Sequence, residues 1–272
     1  MTSLRRLLGV LVAGCLLALG PTPAPATATS AATSTAKPTV VLVHGAFADA
    51  SGFHDMIALL QRAGFQVIAP ANPLRDVAGD AEYISSVLKT IPGPIILAGH
   101  SYGGIVITNA ARGHDNVKAL VYLGAFAPDQ GESALQLAGR FPGSKLGEAL
   151  LPRHYPLPDG TMNGVDGYIT ADKFREVFAA DLPAAKTRQM AATQRPGSVT
   201  GLSGGSGAPA WKTIPSWYLI PTRDNVIPPA AQRFMAERAG SKVREVNSSH
   251  VVMTSHPAAA TAVVLSAYAA TR

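Results

Sequence analysis

From residue 38 onward, short apolar runs alternate with stretches whose apolar positions recur every three or four residues. Residues 39–43, TVVLV, form a continuous β-branched run that ends in His44-Gly45. A run with no polar alternation predicts a strand covered on both faces. Residues 53–62 carry helical spacing, and Gly64 is placed to cap that helix before a second strand at 65–69. The pattern continues with a helix at 78–89, a strand at 95–98, a helix at 105–112 and a strand at 117–123. Later come a strand at 217–220, a helix at 229–239, a strand at 242–246 and a last helix at 257–270. Apolar strands interleaved with helices predict an α/β fold built on a parallel sheet with helices on both faces.

The alternation breaks between residues 127 and 215, a stretch rich in proline and glycine. It holds helix-like pieces at 133–138, 171–180 and 184–192, then a glycine-rich stretch at 201–207 that reads as flexible. A structureless loop of that length is rare in a compact domain. The expected organisation is therefore a core of residues 38–127 and 215–272, with residues 128–214 inserted as a helical cap over the site.

The first residues read as a targeting segment. Arg5-Arg6 precede an apolar stretch at 7–19, followed by small residues such as Ala26-Thr27-Ala28. That order predicts a secretory signal over residues 1–28, a disordered linker over 29–37 and a secreted protein. Val12-Ala13-Gly14-Cys15 resembles a lipoprotein acylation box that would tether the chain to a membrane. Cys15 lies inside the apolar stretch, with Leu16 to Leu19 still to come, which favours the secreted reading over the lipid tether.

Composition narrows the chemistry. Cys15 is the single cysteine of the 272 residues, so no intrachain disulfide can form, and a mature chain lacking it has no thiolate chemistry. The net charge of +6, two units lower without Arg5 and Arg6, is spread without a basic run. That distribution gives no electrostatic case for a nucleic-acid partner.

The strongest chemical signal is Gly99-His100-Ser101-Tyr102-Gly103 at the junction of a predicted strand and a predicted helix. In that context G-x-S-x-G describes a sharp turn that exposes the serine hydroxyl above the end of the sheet. A serine hydroxyl needs a base, and the base needs an orienting acid. Asp224 follows the strand at 217–220, and His250 follows the strand at 242–246. Ser101, Asp224 and His250 thus arrive in the order serine, acid, histidine, each at a strand's carboxyl end. Asp129, after the strand at 117–123, is an alternative acid. His256 suits a helix start, His100 is expected to pack, and His54, His114 and His154 lack a strand end. For the oxyanion hole, Tyr102 is expected to give one backbone N–H and the loop after the first strand the other, from Ala46 or next from Phe47. His44 is expected to order that loop. Phe47, Tyr102, Phe126 and Trp211 are the aromatic residues expected near the substrate.

H-G-A-F at 44–47, G-H-S-Y-G-G at 99–104, T-R-D-x-x-I-P-P with Gln232-Arg233-Phe234-Met235, and S-H-V-V-M at 249–253 together resemble the α/β-hydrolase superfamily. More narrowly, they resemble its branch of small methylesterases and hydroxynitrile lyases and that branch's bacterial esterase-like relatives. The resemblance implies a mostly parallel sheet of about six strands, helices on both faces and a helical cap. It also implies no metal and no organic cofactor. The function it implies is a carboxylic-ester hydrolase that cleaves small-molecule esters through an acyl-Ser101 intermediate. Lyase, lactonase or perhydrolase chemistry in the same pocket, or ligand binding without catalysis, are the alternatives. The plant lyases carry a threonine and a lysine where this chain has Gly45 and Val251, which favours hydrolysis.

Overall fold

The computed structural model describes residues 37–161 and 163–272. The segments read as signal and linker therefore lie outside the described residues, Lys37 excepted, and Cys15 with them. Among the described residues the strands are β1 (Thr39–Val43), β2 (Val67–Ile68), β3 (Ile95–Ser101), β4 (Val117–Ala125), β5 (Leu150–Tyr155), β6 (Gly164–Ile169), β7 (Gly197–Ser198), β8 (Ser216–Pro221) and β9 (Lys242–Val246). The helices are α1 (His54–Arg62), α2 (Val77–Lys89), α3 (Gly103–Ala110), α4 (Ala134–Gly139), α5 (Leu146–Ala149), α6 (Ala171–Phe178), α7 (Ala184–Thr193), α8 (Val199–Ser203), α9 (Pro229–Arg238), α10 (Val252–Ser255) and α11 (Pro257–Ala270).

Six strands pair in the order β2-β1-β3-β4-β8-β9, every pairing parallel. Successive residues of the central strands face opposite sides. Val41, Val43, Ile95, Leu97, Leu120 and Tyr122 pack with Ile84 and Leu88 of α2 and with Ile105 and Val106 of α3. Val40, Leu42, Ile96, Ala98, Val121 and Leu123 pack with Met56 and Leu60 of α1 and with Val263 and Val264 of α11. Unbroken apolar runs are the outcome of period-two geometry with helices on both faces. The first helix ends at the glycine signal. Past α1, Gly64 takes φ +79, its N–H donates to Gln61 and that of Phe65 donates to Leu60, the Schellman closure.

Because every strand of this sheet runs the same way, the segments following β1, β3, β8 and β9 leave along one edge. Three backbones converge there with little room between them. A β-carbon at Gly103 would lie 2.3 Å from the Val43 carbonyl oxygen at the end of β1. The Phe126 N–H, just past β4, donates to the Ser101 carbonyl at 3.1 Å.

The segment between β4 and β8 differs from the expectation of helices alone. It contains α4 to α8 and also a three-stranded antiparallel sheet in the order β5-β6-β7. That hairpin escapes sequence patterning because β5 is mostly exposed and carries Pro152, Arg153 and His154, while β6 contains Gly164 and Gly167. The glycine-rich stretch read as flexible is fastened instead. It begins in α8, and beyond it Ser206 N–H donates to Glu132, Gly131 N–H to Ser206 and Gly207 N–H to Asn109 Oδ1 at 2.7–2.9 Å. At the start of the segment Glu132 accepts both Nη groups of Arg238 from α9, at 2.7 and 2.6 Å.

Gly103→Ala is expected to force β1 and α3 apart and to destabilise the chain by about 1–3 kcal/mol, in the range of core overpacking. Urea unfolding monitored by circular dichroism checks this; an unchanged midpoint would show that the β1–α3 contact yields freely.

Candidate active site

Ser101 closes β3 in a left-handed backbone conformation, φ +54. For a residue other than glycine that conformation is strained and persists only where the surroundings hold it. Here they do, because the Ser101 carbonyl is tied to β4 and the loop after β1 presses against the turn. A β-carbon at Gly45 would meet Ser101 Cβ at 2.6 Å and the Tyr102 nitrogen at 3.0 Å. With glycine there, the β1 loop reaches the serine without an intervening side chain.

That loop is itself held by His44. Its Nε2 accepts the Asn72 backbone N–H at 2.9 Å, leaving the ring proton on Nδ1 to be donated to the Gly45 carbonyl at 3.0 Å. Asn72 Nδ2 donates to the His44 carbonyl at 2.9 Å. Burial holds the His44 imidazole below its ordinary pKa, so the ring is neutral and its tautomer fixed.

Among the described residues, the N–H groups of Ala46 and Tyr102 donate no hydrogen bond, and both residues are buried. Phe47 differs from these two. Its N–H donates to the Arg195 carbonyl at 2.8 Å and is therefore committed away from any oxyanion. Tyr102 is also fixed through its side chain. Its hydroxyl donates to Asp80 Oδ2 at 2.9 Å, and Asp80 Oδ1 accepts the Arg75 N–H at 3.0 Å. Burial raises the pKa of both groups of that pair. Asp80 was missed from the sequence, although a signal was present. It falls with Val77, Ala81, Ile84 and Leu88 on the buried stripe of α2, where a carboxylate is out of place.

Asp224 and His250 are in direct contact. Asp224 Oδ1 accepts the N–H groups of Val226 and Ile227 at 2.8 and 3.0 Å, and Oδ2 accepts Gln232 Nε2 at 2.8 Å and His250 Nδ1–H at 2.7 Å. Both side chains are fully buried. Gln232 also donates to the Ile227 carbonyl at 2.9 Å, so α9 braces the carboxylate. His250 Nε2 has no hydrogen-bond partner among the described residues, and Ser101 and His250 are not hydrogen-bonded to each other. Besides Asp224, two residues hold His250. The His100 ring lies 4.7 Å from it, His100 Nε2–H donates to the His250 carbonyl at 3.1 Å, and Phe178 of α6 lies 5.1 Å away, centroid to centroid. Phe178 also meets Phe47 edge to face at 6.1 Å.

The other candidate side chains have partners of their own or pack in the core. Asp129 pairs with Lys212 at 2.8 Å, and His114 bonds Ser85 at 2.7 Å. Trp211 donates its indole N–H to Pro128 at 2.9 Å, and Phe126 is buried in the core. The position of Phe178 over His250 had no sequence signal, because a phenylalanine on the buried stripe of an amphipathic helix reads as core.

Residues 40–264 match the sequence profile of the alpha/beta hydrolase family, and the chain belongs to that family. It is 31% identical over 144 residues to a carbendazim hydrolyzing esterase of Nocardioides sp., an alignment spanning 48% of this chain and 54% of that protein. It is 29% identical over 241 residues to a pyrethroid hydrolase of Sphingobium wenxiniae, covering 80% of this chain and 83% of that one. Among solved structures it resembles polyneuridine aldehyde esterase, with TM-score 0.74 and 21% identity over 85% of this chain and 99% of that one. It also resembles a methylesterase, MES16 of Arabidopsis, with TM-score 0.69 and 21% identity over the same shares. At that identity the structural likeness speaks for the fold.

The buried imidazole of His100 gives a pH prediction. Burial, then the neighbouring His250, pushes its pKa well below the ordinary 6.5. Below that pH the unfolded chain binds a proton that the folded chain refuses, so stability falls as pH drops from about 6.5 and is unaffected by this group above it. Urea unfolding between about pH 5 and pH 8 is expected to show His100→Asn with a shallower acid slope than the parent, by up to about 1.4 kcal/mol per pH unit. Identical slopes would mean that the folded chain accepts the proton.

Proposed function

We propose that this chain hydrolyses small carboxylic esters, with Ser101 as nucleophile, His250 as general base and acid, and Asp224 as the group that orients the imidazole. The observation that carries the reading is the buried Asp224–His250 pair at 2.7 Å, whose imidazole has an unpartnered Nε2 and lies 4.7 Å from the ring of His100, the residue before Ser101. With its Nδ1 proton donated to a carboxylate, the imidazole presents a lone pair at Nε2 and can accept the Ser101 proton as Oγ attacks an ester carbonyl. The carbonyl oxygen gains a negative charge, and Ala46 and Tyr102 supply the two uncommitted backbone N–H groups suited to receive it. In such sites the loss of one donor costs about 3–4 kcal/mol of barrier. Collapse of the tetrahedral intermediate expels the alcohol, which takes the proton from His250. Water activated by the same imidazole then releases the acid from Ser101.

Relatives named carbendazim hydrolyzing esterase and pyrethroid hydrolase support ester cleavage as the reaction class. The aromatic rings of Phe47 and Phe178 beside His250 favour an ester whose flanking groups are uncharged and apolar. Gly45 and Val251 bring neither hydroxyl nor ammonium to the site, which supports hydrolysis over cyanohydrin cleavage. The basic and apolar N-terminal residues support export of the enzyme before it acts.

Ser101→Ala is expected to reduce hydrolysis of p-nitrophenyl acetate and butyrate to background and to abolish labelling by a fluorophosphonate, with the circular dichroism spectrum unchanged. Asp224→Asn, which disturbs the tautomer while keeping the shape, is expected to lower kcat on the order of 10³–10⁴-fold. Undiminished turnover by folded Ser101→Ala would remove the serine from the reaction.

A further inference from the structure

Three residues beyond Phe178, the inserted segment reaches the histidine loop a second time. Asp181 follows α6, and its side chain is only 10% exposed. Both of its oxygens are used by Ser249, the residue before His250. Oδ2 accepts the Ser249 N–H at 3.0 Å, and Oδ1 accepts the Ser249 hydroxyl in a short hydrogen bond. The cationic groups do not explain this placement, since among the described residues the nearest partner is His256 Nδ1 at 3.9 Å, half out in solvent. Burial would raise the Asp181 pKa, yet the hydrogen bonds from Ser249 hold it below the ordinary carboxylate value. A carboxylate desolvated this far is costly unless its hydrogen bonds compensate, and here, with smaller contributions from the Ser255 and Ser248 hydroxyls, they come first from Ser249.

The remaining polar groups around that residue are fixed from the core. The Ser249 carbonyl accepts the Ser248 hydroxyl at 2.9 Å, and the His250 carbonyl accepts His100 Nε2–H at 3.1 Å. Asp181 is thus the hydrogen-bonding anchor that the segment between β4 and β8 contributes, and it lies just past the ring covering the imidazole.

We infer that Asp181 is a positioning residue for His250, holding the backbone that carries the imidazole through Ser249 and joining it to the inserted segment. The inference rests on the reading of His250 as the base. A displacement of about 1 Å at such a group is enough to cost on the order of a hundredfold in rate. Substrate binding should be affected far less, because Asp181 faces Ser249 and not the substrate.

The test compares Asp181→Ala, Asp181→Asn and Ser249→Ala in steady-state hydrolysis of p-nitrophenyl butyrate and in the rate of fluorophosphonate labelling. Asp181→Ala is expected to lower kcat by about ten- to a hundredfold with KM within about threefold, and to slow labelling in parallel. Asp181→Asn can still accept the Ser249 N–H and donate to its hydroxyl, so it should recover most of the loss. Ser249→Ala, which keeps only the backbone bond, should lose about two- to tenfold. A kcat within about twofold of the parent in Asp181→Ala, or a loss confined to KM, overturns the inference. If Asp181→Ala does not fold, Ser249→Ala decides, and full kcat there overturns it equally. Ser101→Ala in parallel separates the two readings: if it is dead while Asp181→Ala is fully active, only the positioning role fails, and if it is active the Ser101–His250 mechanism on which the inference rests fails.

Discussion

Backbone meeting backbone at the carboxyl end of β3 is the constraint on which the rest of the site depends. Gly45 and Gly103 let the loop after β1 and the start of α3 approach the turn to distances that a β-carbon would forbid. The strain at Ser101 is held by those contacts and by the Phe126 hydrogen bond to its carbonyl. Because the sheet is parallel, the same edge also receives the segments carrying Asp224 and His250. The geometry follows from strand direction and close packing, before any catalytic group is considered.

A shell of buried polar groups surrounds this turn, and almost every member has a stated partner. His44 orders the β1 loop through Asn72, Asp80 holds the Tyr102 side chain, Gln232 braces Asp224, and Asp181 holds Ser249. Such groups are costly to bury unless satisfied, so each fixes the position of what it touches. Burial lowers the pKa of both His44 and His100, and at His100 this disfavours a positive charge beside His250. Among the described residues four nitrogens and oxygens of this shell have no partner: Asn72 Oδ1, His100 Nδ1, Gln232 Oε1 and His250 Nε2, the last on the ring proposed to move the proton.

The inserted segment contributes differently. Phe178 covers the imidazole with an apolar ring, while Asp181 grips the neighbouring backbone. Arg195 lends its carbonyl to Phe47 and so commits that N–H, while those of Ala46 and Tyr102 stay uncommitted among the described residues. The segment therefore shapes the site through few contacts, each made by a residue that looks ordinary in the sequence.

The six parallel strands, the helices between them and the serine turn were legible in the chain. Strands buried on both faces write continuous apolar runs, and a strand-to-helix serine turn requires its glycines. The order Ser101, Asp224, His250 was legible for the same reason, since each follows a strand. What the chain did not disclose were the antiparallel hairpin of β5 and β6, the fastened glycine stretch and the partners Asp80, Asp181 and Gln232. The exposed hairpin is held by its backbone ladder, which leaves little hydrophobic pattern to read. Periodicity reports which face of an element is buried, whereas pairings between residues such as Asp181 and Ser249 depend on how distant segments dock. Only the folded chain sets those distances, and so the tertiary structure alone decided which polar groups would hold the histidine loop.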